Sequence, residues 1–116
     1  MIKSKRIYDA EDEEGYRVLV DRLWPRGVSK EKANLDEWMK EVAPSDELRK
    51  WFNHEPSKWK SFKKKYMDEL DDKQDLVQEL LDNAKKGDLL LLYAAKDEEH
   101  NNAVVLQELL ESRLKN

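Results

Sequence analysis

The sequence predicts an α/β fold: a single small domain with a mixed, mostly parallel sheet of about three strands, packed with about five or six helices. Three observations predict it. The run "DLLLLYAA", Asp88 to Ala95, has no polar face, which suits a strand covered on both sides by helices. "YRVLVDR", Tyr16 to Arg22, places three consecutive apolar residues just after a glycine turn. Around them stand segments whose apolar residues recur every three or four positions, the period of a helix. At 116 residues the chain is the size of one domain, and no internal repeat, low-complexity tract or linker divides it.

Taken in order, "IKSKRIY" alternates apolar and polar residues and reads as a short strand. The acidic "DAEDEEG" that follows is shorter than the dozen residues of an ordinary parallel crossover, so "YRVLVDR" is expected to return antiparallel to the first strand. Beyond Gly27 the pattern turns helical: Ser29 caps "KEKA", and "NLDEWMKEV" spaces Leu35, Trp38, Met39 and Val42 along one face until Pro44 stops it. Ser45 caps a second helix, "SDELRKWF", whose first-turn acids suit the positive helix N-terminus.

From Pro56 or Ser57 a third helix sets Trp59, Phe62, Tyr66 and Leu70 in one stripe. "KQDLVQELLDNAKKG" repeats the logic with Leu76, Val77, Leu80, Leu81 and Ala84, and Gly87 closes it. After "DLLLLYAA" comes the last helix, "HNNAVVLQELLESRL", with Ala103, Leu106, Leu109, Leu110 and Leu114 as its apolar side. The central strands "YRVLVDR" and "DLLLLYAA" are expected to run parallel. Their C-terminal ends then lie side by side, where ligands bind in open α/β sheets.

Composition narrows the function classes. There is no cysteine, which excludes disulfides, thiolate metal sites and cysteine nucleophiles. No secretory leader or run of ~20 apolar residues is visible, so the expectation is a cytoplasmic chain without a membrane partner. Although 41% of residues are charged, 22 basic against 26 acidic side chains leave a net charge of -4, without the basic excess of a protein that wraps duplex nucleic acid.

The two strand ends carry "DRLWPRG" and "AAKDEEHNN". In the first, Trp24 precedes a proline and is held extended, Pro25 fixes its own φ, and Gly27 is free to take a positive φ, so the turn is stiff. Arg22 and Arg26 offer planar forks suited to carboxylate or phosphate, unless Arg22 pairs with a local acid and Arg26 is merely solvated. In the second, Lys96 and Asp97 follow two small alanines, and His100 is the candidate general acid or base. Asp97 is equally suited to capping a helix, and Asn101 and Asn102 to reading a polar ligand or tying down a turn.

Glu98 and Glu99 are expected in the first turn of the last helix, where they oppose a phosphate, leaving the arginines and Lys96 to hold an anion. No glycine-rich phosphate loop is present. His54, His100 and Asp21 lack the spacing of a metal motif, so no metal and no cofactor is expected. The cluster "KWKSFKKKY" interleaves Lys58, Lys60, Lys63, Lys64 and Lys65 with aromatics, yet those aromatics form the helix stripe and acids follow at once, so a solvated face is the simpler reading.

Three stretches, "RVLVDRLWPRG", "EVAPSDELRKWFNHEPSKWKSF" and "LLLLYAAKDEEHNNAVVLQELL", closely resemble the YeaO-like family, a branch of the domain-of-unknown-function 488 group, over about Lys5 to Leu110. The resemblance implies a small bacterial or archaeal α/β domain. Its signature positions fall here on Asp21, Arg22, Trp24, Pro25, Arg26 and Gly27, on Arg49, Trp51, Phe52 and His54, and on Lys96, Asp97, His100 and Asn101. Where the wider group often carries a cysteine, histidine and arginine cluster after the last strand, this chain has Asn101, Asn102 and Ala103. Proton transfer or pure binding survives that change; thiol chemistry does not.

The sequence therefore points to a small anionic or nucleotide-like ligand. Arg22, Trp24, Arg26, Arg49, His54, Lys96, Asp97 and Asn101 are expected to bind it, with Asp21 or His100 moving a proton if there is turnover. The alternative is a non-enzymatic interaction protein that contacts a protein or nucleic acid through the tryptophan turn or the lysine-rich helix. Alanine at Arg22 or Arg26 is the sequence's own first test.

Overall fold

A computed structural model describes residues 1–115. Four strands form one sheet in the order β1-β4-β2-β3: β1 is Ile2–Arg6, β2 Tyr16–Leu19, β3 Glu37–Trp38 and β4 Leu89–Tyr93. Every pairing is parallel, with Ile2 opposite Leu89, Tyr16 opposite Leu89 and Val18 opposite Glu37. The helices are α1 (Lys30–Ala33), α2 (Asp46–Phe52), α3 (Trp59–Asp71), α4 (Gln74–Lys86) and α5 (Asn102–Leu114). The α/β class and the parallel β2–β4 pair are as the sequence predicts, with one strand more and no antiparallel member. No helix among the described residues is long and apolar enough to cross a membrane.

The antiparallel return expected after β1 does not form, because β4 lies between β1 and β2 and all three run the same way. Nine residues, 7–15, make the crossing. At ~3.3 Å each they reach about 30 Å, more than the ~17 Å length of a five-residue strand plus the ~10 Å needed to step over one neighbour. The crossing thus needs no α-helix when the strands are this short, only a single 3-10 turn at Ile7–Asp9. It ends at Gly15, whose φ of 137° strains any side chain and where a Cβ would stand only 3.0 Å from the Asp88 carbonyl oxygen.

β4 is buried throughout, and its alternation separates two cores. Leu89, Leu91 and Tyr93 face α3, α4 and α5 together with Ile2, Val18 and Val20; Phe62, Tyr66, Leu80, Leu106 and Leu110 fill that side. Leu90 and Leu92 face the other way and pack with Ile7, Ala10, Leu19 and Ala33. That second face is covered by the crossing loop and short α1, not by the layer of helices the apolar run suggests. Arg17, only 4% exposed, makes this cover possible. Its guanidinium donates to the carbonyls of Ala10, Glu13, Ala33 and Asn34 at 2.7–3.0 Å, so the loop's backbone acceptors are satisfied without a helix.

The helix expected across "NLDEWMKEV" is also replaced. Asn34 takes a left-handed φ of 45° and ends α1. Asp36 then grips the Arg17 backbone, its carboxylate accepting the amide at 2.8 Å and its own N–H donating to the Arg17 carbonyl at 2.9 Å. The next two residues extend as β3. The helical spacing of Leu35, Trp38, Met39 and Val42 is real, but pairing with β2 overrides it.

Candidate functional site

Because all strands run one way, the ends of β1, β2 and β4 share one edge of the sheet. A cleft of about 730 Å³ opens there, within the usual range for small-ligand sites. All ten residues singled out from the sequence line it: Asp21, Arg22, Trp24 and Arg26 after β2, Arg49 and His54 from the α2 region, and Lys96, Asp97, His100 and Asn101 after β4.

Asp21 sits at the base. One carboxylate oxygen accepts the Ala94 amide at 2.9 Å and the other the Asn102 side chain at 3.1 Å, while Asn102 also donates to the Val20 carbonyl. No cation forms an ion pair with Asp21 among the described residues. Burial pushes its carboxyl above the ordinary carboxylate range, against the Ala94 and Asn102 hydrogen bonds and the nearby His54, which pull it down.

The cations differ in how far they are already engaged. Arg22, next to Asp21 in sequence, turns away from it and donates to the carbonyls of Pro44 and Ala43 at 3.3 Å, with Glu41 at 3.9 Å. Arg49 has an exposed partner, Asp46, at 3.4 Å, a pairing of little energetic weight. The side chains of Arg26 and Lys96 have no hydrogen-bond or ionic partner among the described residues. The turn that carries Arg26 is fixed: the Tyr8 hydroxyl donates to the Arg26 carbonyl at 2.8 Å, and the Trp24 indole donates to the Val28 carbonyl at 2.7 Å and meets Trp38 edge-on at 5.3 Å.

His100 is held by Asp97, whose carboxylate meets the ring Nδ1 at 2.8 Å and also accepts the backbone amides of Glu99 and His100. The Glu99 amide, ahead of the His100 ring, does most to hold the Asp97 carboxyl below its ordinary range. Asp97 therefore caps this turn, not a helix. α5 begins only at Asn102, capped by buried Asn101, whose amide oxygen accepts from Val104 and whose amide nitrogen donates to the Asp97 carbonyl. Glu98 and Glu99 consequently lie outside the helix, and no acid stands in its first turn. Asn101 thus spends one amide N–H and one acceptor direction on this cap while it lines the cleft.

A run of rings closes the helical side. His54 lies 6.4 Å from Phe52, Phe52 stacks on Phe62 at 4.3 Å, Phe62 on Trp59 at 5.7 Å, and the Trp59 ring meets His100 edge-on at 5.2 Å. Consecutive left-handed residues, Asn53 and His54 (φ 46° and 54°), end α2 and swing His54 to the cleft. Asn53 ends its helix as Asn34 ends α1, and His54 continues the left-handed turn. No group of three or more His, Asp or Glu among the described residues is arranged to hold a metal ion.

Arg6 and Tyr8 are among the lining residues that escape sequence reasoning. Arg6 ends β1, donates to the Ala94 carbonyl at 3.3 Å and lies 4.3 Å over the ring of Tyr8. An antiparallel β1 would put both at the far edge of the sheet; the parallel register opposite Tyr93 brings Arg6 to the cleft. The lysine cluster behaves as a solvated face: Lys60, Lys64 and Lys65 are exposed, Lys63 pairs with Glu108 at 2.8 Å, and Phe62 and Tyr66 are buried.

Over residues 1–116 the chain matches the family model described as the inactive DUF488-N3 subclade, DUF488-N3i. It is 49% identical over 112 residues to the uncharacterized protein YeaO of Escherichia coli (strain K12), covering 96% of this chain and 97% of that one. It is 36% identical over 113 residues to the uncharacterized protein Rv3073c of Mycobacterium tuberculosis (strain ATCC 25618 / H37Rv), covering 97% and 95%. No solved structure matches the chain.

Proposed function

Because the chain belongs to the DUF488 family, in the subclade described as inactive DUF488-N3, we propose that its cleft binds a small planar anion of nucleotide-like size without turning it over. One observation carries this reading. Five cationic side chains, those of Arg6, Arg22, Arg26, Arg49 and Lys96, share the cleft with two carboxylates, in a chain whose net charge is -4. Positive charge is gathered here against the overall balance, beside a helical side lined by the rings of Phe52, His54, Phe62 and His100, which suits a flat ligand. Arg26 and Lys96, unpaired among the described residues, are the side chains free to meet an anionic group.

The test is a thermal-shift and calorimetric panel of GMP, AMP, folic acid and inorganic phosphate. A ligand at about 100 times its Kd stabilises the folded state by about 2.7 kcal/mol, a shift of roughly 10 °C for a domain this size. Arg26→Ala and Lys96→Ala are expected to melt like the parent and to weaken binding about tenfold each, the scale of one charge-assisted hydrogen bond. These variants replace Arg22→Ala as the decisive pair, since Arg22 also holds two backbone carbonyls. Failure of every planar anion to shift the melting point sinks the proposal.

The Asp97–His100 pair favours a second reading, in which His100 moves a proton to or from the bound ligand while Asp97 orients the ring. Asp21, recessed and raised by burial, is the other candidate for that role. Turnover of a bound panel member that disappears in His100→Ala or Asp21→Asn would establish it.

A further inference from the structure

We infer that the cleft selects ligands that present a ring N–H beside an exocyclic amine, the edge shared by guanine and pterin rings, and that Asp21 reads this edge. The inference rests on the planar-anion reading and names its chemical class. Of the two carboxylates in the cleft, Asp97 is consumed by the turn at residues 97–100 and by His100. Asp21 is not. Its two oxygens each accept one hydrogen bond, from Ala94 and Asn102, which fix the plane of the carboxylate and leave a second acceptor direction on each. Asn102 is itself anchored on Val20, so the support is rigid.

A carboxylate recessed in this way ordinarily has a cation for a partner. Here the adjacent Arg22 is turned to the Ala43 and Pro44 carbonyls. With one donor on each oxygen already in place and His54 the nearest titratable base, the second acceptor directions are open to donors of a molecule that enters the cleft. Two parallel acceptor oxygens match two parallel N–H donors, as in a bidentate pair. A guanine or a 2-amino-4-oxopterin offers that pair; hypoxanthine offers only the ring N–H; adenine sets a ring acceptor against the carboxylate and is repelled. The phosphate of a nucleotide or the carboxylate tail of a pterin would reach Arg26 and Lys96.

Calorimetry with GMP, IMP, AMP and folic acid on the intact chain tests this. A hydrogen bond to a charged group separates ligands by roughly tenfold to a hundredfold, so GMP or folic acid is expected to bind tighter than IMP and AMP by at least that lower factor. Asp21→Asn is expected to erase the difference while AMP still binds. Tighter GMP identifies a nucleotide source and tighter folic acid a pterin source; both uphold the edge. Equal affinities for GMP, IMP, AMP and folic acid overturn the inference but leave the planar-anion reading standing, whereas binding of none of the four removes both. Should Asp21→Asn fail to fold, the ligand series on the parent chain decides alone.

Discussion

At the scale of single residues, Asp21 stores a conflict between stability and chemistry. Its carboxyl is raised by burial in the fold and ordinary in the unfolded chain, so the folded state binds more protons in the window between. The stability that proton brings is complete below the ordinary carboxylate range and is lost as pH rises through the raised value. Asp21→Asn is therefore expected to melt above the parent near neutral pH, with the advantage shrinking on acidification; asparagine keeps an acceptor for the Ala94 amide, and Asn102 keeps the Val20 carbonyl. Melting curves at neutral and acid pH check this, and a variant less stable at neutrality would show that the carboxylate is structural. Arg17 is the contrasting case. More buried still, it spends its guanidinium on four backbone carbonyls and does not line the cleft.

At the scale of elements, the entry to α5 decides how the β4 side of the cleft is built. Asn101 caps the helix and also ties back to Asp97, which in turn holds His100, so one side chain couples helix, turn and ring. Asn101→Ala is expected to cost about 1 kcal/mol, the usual value of an N-cap. Faster amide exchange should appear at residues 97–104 while α3 and α4 stay protected. Loss of protection across the whole sheet would mean that the cap supports the fold at large. The capping side chains Ser29 and Ser45 are legible as such from the sequence, and both accept the amide three residues on. The α5 cap is not, because Asp97 and Asn101 are equally good caps in isolation. Only the turn that Asp97 makes with Glu99 and His100 separates them.

At the scale of the whole molecule, a negative chain holds a positive cleft, and the anion's affinity should report it. Going from about 0.01 M to about 0.15 M salt shortens the screening length from ~30 Å to ~8 Å, so GMP binding is expected to weaken several-fold across that range. Calorimetry at the two salt concentrations checks this; indifference to salt would remove the cationic anchor and leave Asp21 as the main contact. What the sequence determined by itself is local. The apolar run of β4, the helical stripes of α3 and α4, the serine caps and the charged turns at two strand ends are all read from neighbours a few positions apart; Arg49 and His54 came from the family resemblance, and the fold brings them to the same cleft as the strand-end residues. What only the tertiary structure decided is the direction of β1, the strand at Glu37–Trp38, and which cations are already engaged. Those outcomes depend on hydrogen-bond partners far away in the chain: Tyr93 beside Arg6, Arg17 beside Asp36, Ala43 and Pro44 beneath Arg22. Periodicity records which face of a segment is apolar, but not which distant backbone will claim its polar groups.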